Sequence, residues 1–404
     1  MRIAVWHNLP GGGGKRALYN HVKALKERGH YLEAWTTDFS SDTYLPLSQM
    51  IIEHRKPISS EIMQIRSSRN PLKKERETIS LLKRHCIDCI DEIKDGRFDI
   101  IFANSCSVTG VPFIGLSTKI PSVLYLGEPD RKLFEAGNEG NIWELPEYSF
   151  SLKGINRMRR DFIRNYAYRL LIREQVAAAK SFSVILVNSF YSREAVKRAY
   201  GTDSAVCYLG VDEKIFFPIP GVQKKNYVAG MGRISASKNP ETAISSLAMI
   251  PEIRRPVLKW ISNEPVHDHL EKINKLAKDK KVEFVTLTDL PDNEVVKVLN
   301  EASVMICTSR LEPFGLAPVE ANMCGTSVIA VAEGGFRESI KDGENGFLIS
   351  ADTESEIARL ADRFCSDLQY AKDMGDKARE FALRNWSFSR MSDNIDNELR
   401  NLTK

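Results

Sequence analysis

No stretch of this chain approaches the roughly 18 uncharged apolar residues of a membrane-spanning helix, so no transmembrane anchor is expected. The N-terminus, MRIAVWHNLP followed by four glycines, also lacks the longer apolar run and small-residue cleavage site of a signal peptide. Cysteine is sparse: seven residues, odd in number and scattered, exclude a disulfide framework and point to free thiols in a reducing cytoplasm. With 24 glycines and 17 prolines the chain is neither collagenous nor of low complexity. There is no Asp-x-Asp motif, so catalysis without a bound metal is expected. A dinucleotide fingerprint is missing too: counted from Gly11, Arg16 stands where the last Gly of G-x-G-x-x-G belongs.

What is present is ordinary globular composition, 43% hydrophobic and 27% charged, over 404 residues. That length suits about two domains of about 100–200 residues each. The charge is uneven. Residues 1–205 carry 31 Lys and Arg against 23 Asp and Glu, while the remainder is net acidic. Two domains with different partners follow, the basic one suited to a phosphate, a nucleic acid or an anionic membrane.

The hydrophobic pattern repeats β-α-β. Arg2–Trp6 reads as a buried strand ended by Pro10 and a Gly-rich loop, then a helix over Lys15–Arg28 with Gly29 at its C-terminal cap, then a strand at Tyr31–Thr36. Further strands are expected at Asp99–Asn104, Ser122–Leu126 and Phe182–Asn188, with a helix over Ser192–Tyr200. The stretch Tyr44–Ser80 is polar, basic and without a clear period. A second unit starts near Asp212, with strands at Tyr227–Met231, Val257–Ser262, Val282–Thr286, Val304–Thr308 and Ser327–Val331. Asn239 and Pro240 read as N-cap and first residue of a helix, and Phe388–Leu402 as a terminal amphipathic helix. Gly and Pro cluster over Gly210–Gly221, the expected linker.

Three segments carry chemistry. The first is TSRLEPFGLAPVEANMCG, Thr308–Gly325. Here a strand runs into a loop bearing Glu312 and then a helix bearing Glu320. The amides of Phe314, Gly315 and Leu316 at the helix start suit an anion. A carboxylate in the first turn can accept hydrogen bonds from two vicinal ribose hydroxyls. The second is GRISASKNPE, where Arg233 and Lys238 precede a helix and can clamp a diphosphate. The third is the loop holding Gly12, Gly13 and Gly14, whose bare backbone lets amides approach an anion. Asp38, after the second strand, is a candidate ribose carboxylate in a dehydrogenase reading. His85-Cys86-x-x-Cys89 lacks a second ligand pair and reads as helix core, and His267-Asp268-His269 as a helix start. Residues 153–173 carry seven Lys and Arg and one Asp, with aromatics and leucines between them. Two readings stand: an amphipathic helix on an anionic membrane, or a solvated helix lining an acceptor cleft. No segment has the pattern of a nucleic-acid-binding module.

Together these segments resemble the family 4 glycosyltransferases of the GT-B fold. The likeness is carried by the Gly-rich loop, GRISASKNPE, EPFGLAPVE with its E-x7-E spacing, GG-x-x-E at Gly334–Glu338, CYLGVDEKIFFP at Cys207–Pro218 and DGENGFLI at Asp342–Ile349. Two departures are visible: Leu209 stands where Asn is common, and Gly127 where many relatives have a His, although Glu128 and Arg131 remain.

The resemblance implies an α/β chain of two Rossmann-like doubly wound domains facing across a cleft. They would comprise an acceptor-binding domain over 1–208 and a nucleotide-sugar-binding domain over 209–383. Residues 384–404 would form a terminal helix packing back on the first domain. It implies retaining, metal-independent transfer of a hexose from a nucleotide sugar, UDP-glucose for example, to a glycan or lipid-linked acceptor in surface polysaccharide assembly. No cofactor is implied, and the setting is cytoplasmic or peripheral on the inner membrane face. Catalytic roles fall to Glu312, Lys238, Arg233 and Glu128, and donor contacts to Gly12, Gly13, Gly14, Phe314, Gly315, Leu316 and Glu320. Other GT-B chemistry (a phosphorylase or sugar-nucleotide epimerase), an NAD-dependent oxidoreductase and an inactive sugar-nucleotide binder remain as alternatives.

Overall fold

The computed structural model describes residues 1–135, 148–263, 267–350 and 354–403. They form two compact units: Met1–Cys207 with Ser392–Lys404, and Tyr208–Met391.

The first unit contains strands β1 (Arg2–His7), β2 (Tyr31–Thr36), β3 (Ile52–Arg55), β4 (Ile100–Asn104), β5 (Ser122–Tyr125), β6 (Val184–Val187) and β7 (Ala205–Val206). Its helices are α1 (Gly13–Glu27), α2 (Ser59–Arg66), α3 (Pro71–Asp95), α4 (Arg131–Phe134), α5 (Leu152–Ser181) and α6 (Phe190–Tyr200). All strands pair in parallel, in the order β3-β2-β1-β4-β5-β6-β7. Five of the six β1 residues and all of β4 are buried, as expected of central strands covered on both faces. Trp6, Trp35, Leu82, Cys86, Cys89, Phe113 and Leu124 belong to one core, so the His85-Cys86-x-x-Cys89 stretch is core packing on α3. All seven cysteines of the chain are buried and free.

The second unit repeats the design. Its strands are β8 (Lys225–Met231), β9 (Val257–Ser262), β10 (Phe284–Thr288), β11 (Ala302–Cys307), β12 (Val328–Val331) and β13 (Gly346–Ile349). Its helices are α7 (Pro240–Ala248), α8 (His267–Asp279), α9 (Asp292–Glu301), α10 (Leu316–Met323), α11 (Phe336–Ser339), α12 (Glu354–Ser366) and α13 (Leu368–Trp386), followed by α14 (Phe388–Asn401), which runs on into the first unit's residues. The sheet is again parallel, in the order β10-β9-β8-β11-β12-β13. Both sheets therefore have the doubly wound order, with a switch point between β1 and β4 in one and between β8 and β11 in the other. The terminal segment stays with the second unit as far as Met391: Val211 bridges Ser387, and Glu213 accepts from the Phe388 amide at 3.1 Å.

Several sequence expectations shift. The strand expected at Val282–Thr286 lies at Phe284–Thr288, because Lys281 turns with a φ of 55° and the Val282 amide closes α8 on Ala277. β13 was not anticipated. The stretch Tyr44–Ser80 contains β3, α2 and the start of α3. Asp38 is not a ribose ligand in waiting. Its carboxylate accepts the Ile58 and Ser59 amides and the Ser59 hydroxyl, and so fastens the start of α2. Desolvation opposes that charge, but the hydrogen bonds outweigh it and hold the carboxyl below its usual range.

Candidate active site

Ligands of open α/β sheets bind beyond the carboxyl ends of the strands at the switch point. In the second unit two chains leave that point: the loop after β8, which carries Arg233 and Lys238, and the loop after β11, which carries Glu312. The first loop departs through Gly232, whose φ of 135° suits only glycine, and its carbonyl accepts from Trp260 Nε1 at 2.8 Å. It ends at Asn239, held at a φ of 50°, whose side chain caps α7 ahead of Pro240. The second loop is tied to the first by Thr308 Oγ1, which donates to the Lys238 carbonyl at 3.1 Å.

The two loops meet in one ion pair. Lys238 Nζ donates to Glu312 Oε2 at 2.6 Å, with the side chains 27% and 19% exposed. Partial burial makes this pair stronger than a fully solvated one. A pocket lies against it, lined by Met231, Lys238, Trp260, Thr308, Glu312 and Pro318 among others. Cys307 also lines it; burial pushes its thiol pKa up, Glu312 adds to the rise and Lys238 opposes it. Arg233 is exposed on the same loop as Lys238.

Glycines hold the Glu312 loop in place. Gly315, at a φ of 90°, is the N-cap of α10, and a Cβ there would lie 2.6 Å from the Phe336 ring. α10 has no side-chain cap and no acid in its first turn. Because it begins only at Leu316, Glu320 falls on the second turn rather than the first, and it is buried. Behind the loop, the Gly335 amide donates to the Glu312 carbonyl at 2.6 Å. A Cβ on Gly335 would come within 2.1 Å of the Pro313 oxygen. Ser339 Oγ donates to the Phe314 carbonyl at 2.9 Å, and the Phe314 ring is buried against Trp386 with centroids 5.2 Å apart.

Sequence reasoning missed several supports. Tyr208 packs on Phe314 and Trp386, and its hydroxyl donates to Glu338 at 2.8 Å. Burial and that hydrogen bond push the phenol pKa up. Tyr208 and Glu338 both fall in quoted segments, but nothing in the spacing pairs them. Ser339 and Trp260 carry no motif signal.

The first unit holds the other expected residues. Gly12 is the N-cap of α1 with a φ of 101°, and Gly13 and Gly14 are its first helical residues, so the loop is in large part a helix start. A Cβ added at Gly12 or Gly13 would meet nothing within 4 Å. Just beyond, Lys15 is buried and donates to Ser40 Oγ at 2.9 Å. Burial brings its pKa down to about 8. Glu128 accepts from Arg131 Nε at 2.6 Å, an ion pair between residues three apart.

Two doubly wound parallel sheets with a loop pair and an uncapped helix start at one switch point define the GT-B class, and solved structures agree. A crystal structure of Anabaena HepE in complex with UDP and glucose has a TM-score of 0.73 and 19% identity, covering 99% of this chain and 100% of that one. Residues 211–381 match the family model described as Glycosyl transferases group 1, in line with the resemblance to the family 4 glycosyltransferases. Among curated relatives, a D-inositol 3-phosphate glycosyltransferase of Streptomyces bingchenggensis is 28% identical over 240 residues, 54% of this chain and 52% of that protein. An alpha-maltose-1-phosphate synthase of Mycolicibacterium smegmatis is 26% identical over 54% of this chain and 63% of its own length. The match thus spans about half to three fifths of the length of these relatives. Among the described residues, no helix is long and apolar enough to cross a membrane.

Proposed function

We propose that the chain is a retaining glycosyltransferase that moves a hexose from a nucleotide sugar, UDP-hexose in the first instance, to a glycan or lipid-linked acceptor. It would act in the cytoplasm, in surface polysaccharide or glycolipid assembly. The observation that carries the reading is the Lys238–Glu312 pair at the second switch point, beside an uncapped helix start. UDP is favoured by the HepE complex, whose overall fold this chain shares.

In this reading Lys238 and Arg233 neutralise the diphosphate as it departs, and the amides of Phe314 to Leu316 share its charge. Glu312 orients the donor sugar near its anomeric carbon, and its grip on Lys238 fixes where the cation waits. Glu320 binds the ribose hydroxyls. Gly12, Gly13 and Gly14 are proposed as donor contacts, and Glu128, paired with Arg131, as an acceptor-side group. Two cations and a helix start then supply the charge that a magnesium ion supplies in other transferases.

The test is a thermal-shift panel of UDP, GDP, ADP and NAD, followed by a transfer assay with the selected sugar nucleotide in excess EDTA. The expected outcome is selective stabilisation by one nucleoside diphosphate and turnover that EDTA leaves nearly unchanged. Stabilisation by NAD alone would restore the oxidoreductase reading. Binding without turnover on any acceptor would leave a sugar-nucleotide binder, and a strict Mg²⁺ requirement would overturn the charge argument.

Glu320→Ala is expected to weaken nucleotide binding by about 1–3 kcal/mol, the cost of losing hydrogen bonds to a charged group. Calorimetry on the folded variant checks this, and wild-type affinity would remove Glu320 from the ribose site.

A further inference from the structure

Among the described residues, the first half of α5 is unlike any other helix. Of the large apolar side chains exposed in the chain, Phe150, Leu152, Ile155, Met158, Phe162 and Tyr166 crowd into seventeen residues. Ile155, Met158, Phe162 and Tyr166 follow the three-and-four spacing of a single helix stripe. Residues 155–160 are exposed in an unbroken run, so this part of the helix stands in solvent. On the side opposite the stripe, at about 100° per residue, lie the exposed Lys153, Arg157 and Arg160, with Arg164 half-buried behind them. Asp161 is the one acid between residues 153 and 173, and it is paired with Arg164 at 3.0 Å.

A solvated helix has no use for an apolar stripe, and a single patch of this kind marks an interaction surface. The charge selects the occupant. A second copy of the chain docking through the same helix would bring two strongly basic helices together and pay for their repulsion. An anionic bilayer meets both halves of the pattern: the stripe enters the headgroup boundary while the cationic side chains reach the lipid phosphates.

We propose that residues 150–166 are a peripheral docking element for anionic lipid surfaces. The inference is independent of the transferase reading, since vesicle binding needs no donor and no turnover.

The test is cosedimentation of the full chain with vesicles of phosphatidylcholine alone and of phosphatidylcholine with phosphatidylglycerol. Binding to the anionic vesicles only, weakened by salt, is expected. Arg157→Glu with Arg160→Glu should reduce it more than about tenfold, from roughly fivefold per surface cation. Phe162→Ser with Ile155→Ser should abolish it. All four positions are exposed, so thermal unfolding of both variants should match the wild type. Equal binding to neutral vesicles, or binding that survives both double variants, overturns the proposal. So does a protein that ignores vesicles but forms a dimer that Phe162→Ser with Ile155→Ser dissociates, which would make the stripe a contact between copies.

Discussion

Lys238→Ala should slow sugar transfer by about 10²–10³-fold while changing the affinity for the nucleoside monophosphate by less than about twofold. In the proposed mechanism the charge that Lys238 meets grows as the sugar–phosphate bond breaks, so its loss falls on the transition state more than on ground-state binding. The structure adds a second cost: without its 2.6 Å partner, the half-buried Glu312 carboxylate loses the group that orients it. Lys238→Arg should not restore full rate, because the planar guanidinium cannot take the place of a point charge whose stem runs past Gly232 and ends on Glu312. Steady-state kinetics with calorimetry of the monophosphate decide the matter. Equal losses in turnover and monophosphate binding would make Lys238 a simple binding cation.

Gly335→Ala should cost about 1–3 kcal/mol of stability, as overpacking does, and about 10²-fold in turnover, the effect of misplacing a reacting group by about 1 Å. Its φ is −72°, which any residue accepts, so the effect does not come from backbone strain. It comes from space: the new Cβ would sit 2.1 Å from the Pro313 oxygen and 2.6 Å from Phe314 Cα. Both are backbone atoms of the loop that carries Glu312, and no side-chain rotation relieves the contact. Thermal unfolding and turnover at saturating donor are the measurements. A variant with wild-type melting temperature and turnover would show that the loop gives way freely and that Gly334-Gly335 does not set the position of Glu312.

Much of the fold was legible because its signals are local. Central parallel strands such as Ile100–Asn104 read as short apolar runs, since both faces are covered. The start of α7 was legible because Asn239 and Pro240 act on their own helix. The segment after Tyr44 was not. Its strand IEHR carries no alternation, with Ile52 exposed and Glu53, His54 and Arg55 half-buried, and it is held by parallel pairing to β2. Its next helix is fastened by Asp38, about twenty residues upstream.

The same division runs through the candidate site. Residue types and their place after a strand and before a helix came from the sequence: Lys238, Glu312, Gly315 and Glu320 are each recognisable by their neighbours along the chain. Periodicity could also mark 153–173 as basic and amphipathic. Only the tertiary structure decided which distant charges meet, that Lys238 closes on Glu312 across 74 positions. Only it decided that Gly335 backs the Glu312 loop, and that the apolar stripe of α5 lies in water rather than in the core. The reason is physical. Strand, helix and cap preferences act within a few residues of backbone, whereas ion pairs, close backbone approaches and burial depend on which distant elements the sheet order brings side by side.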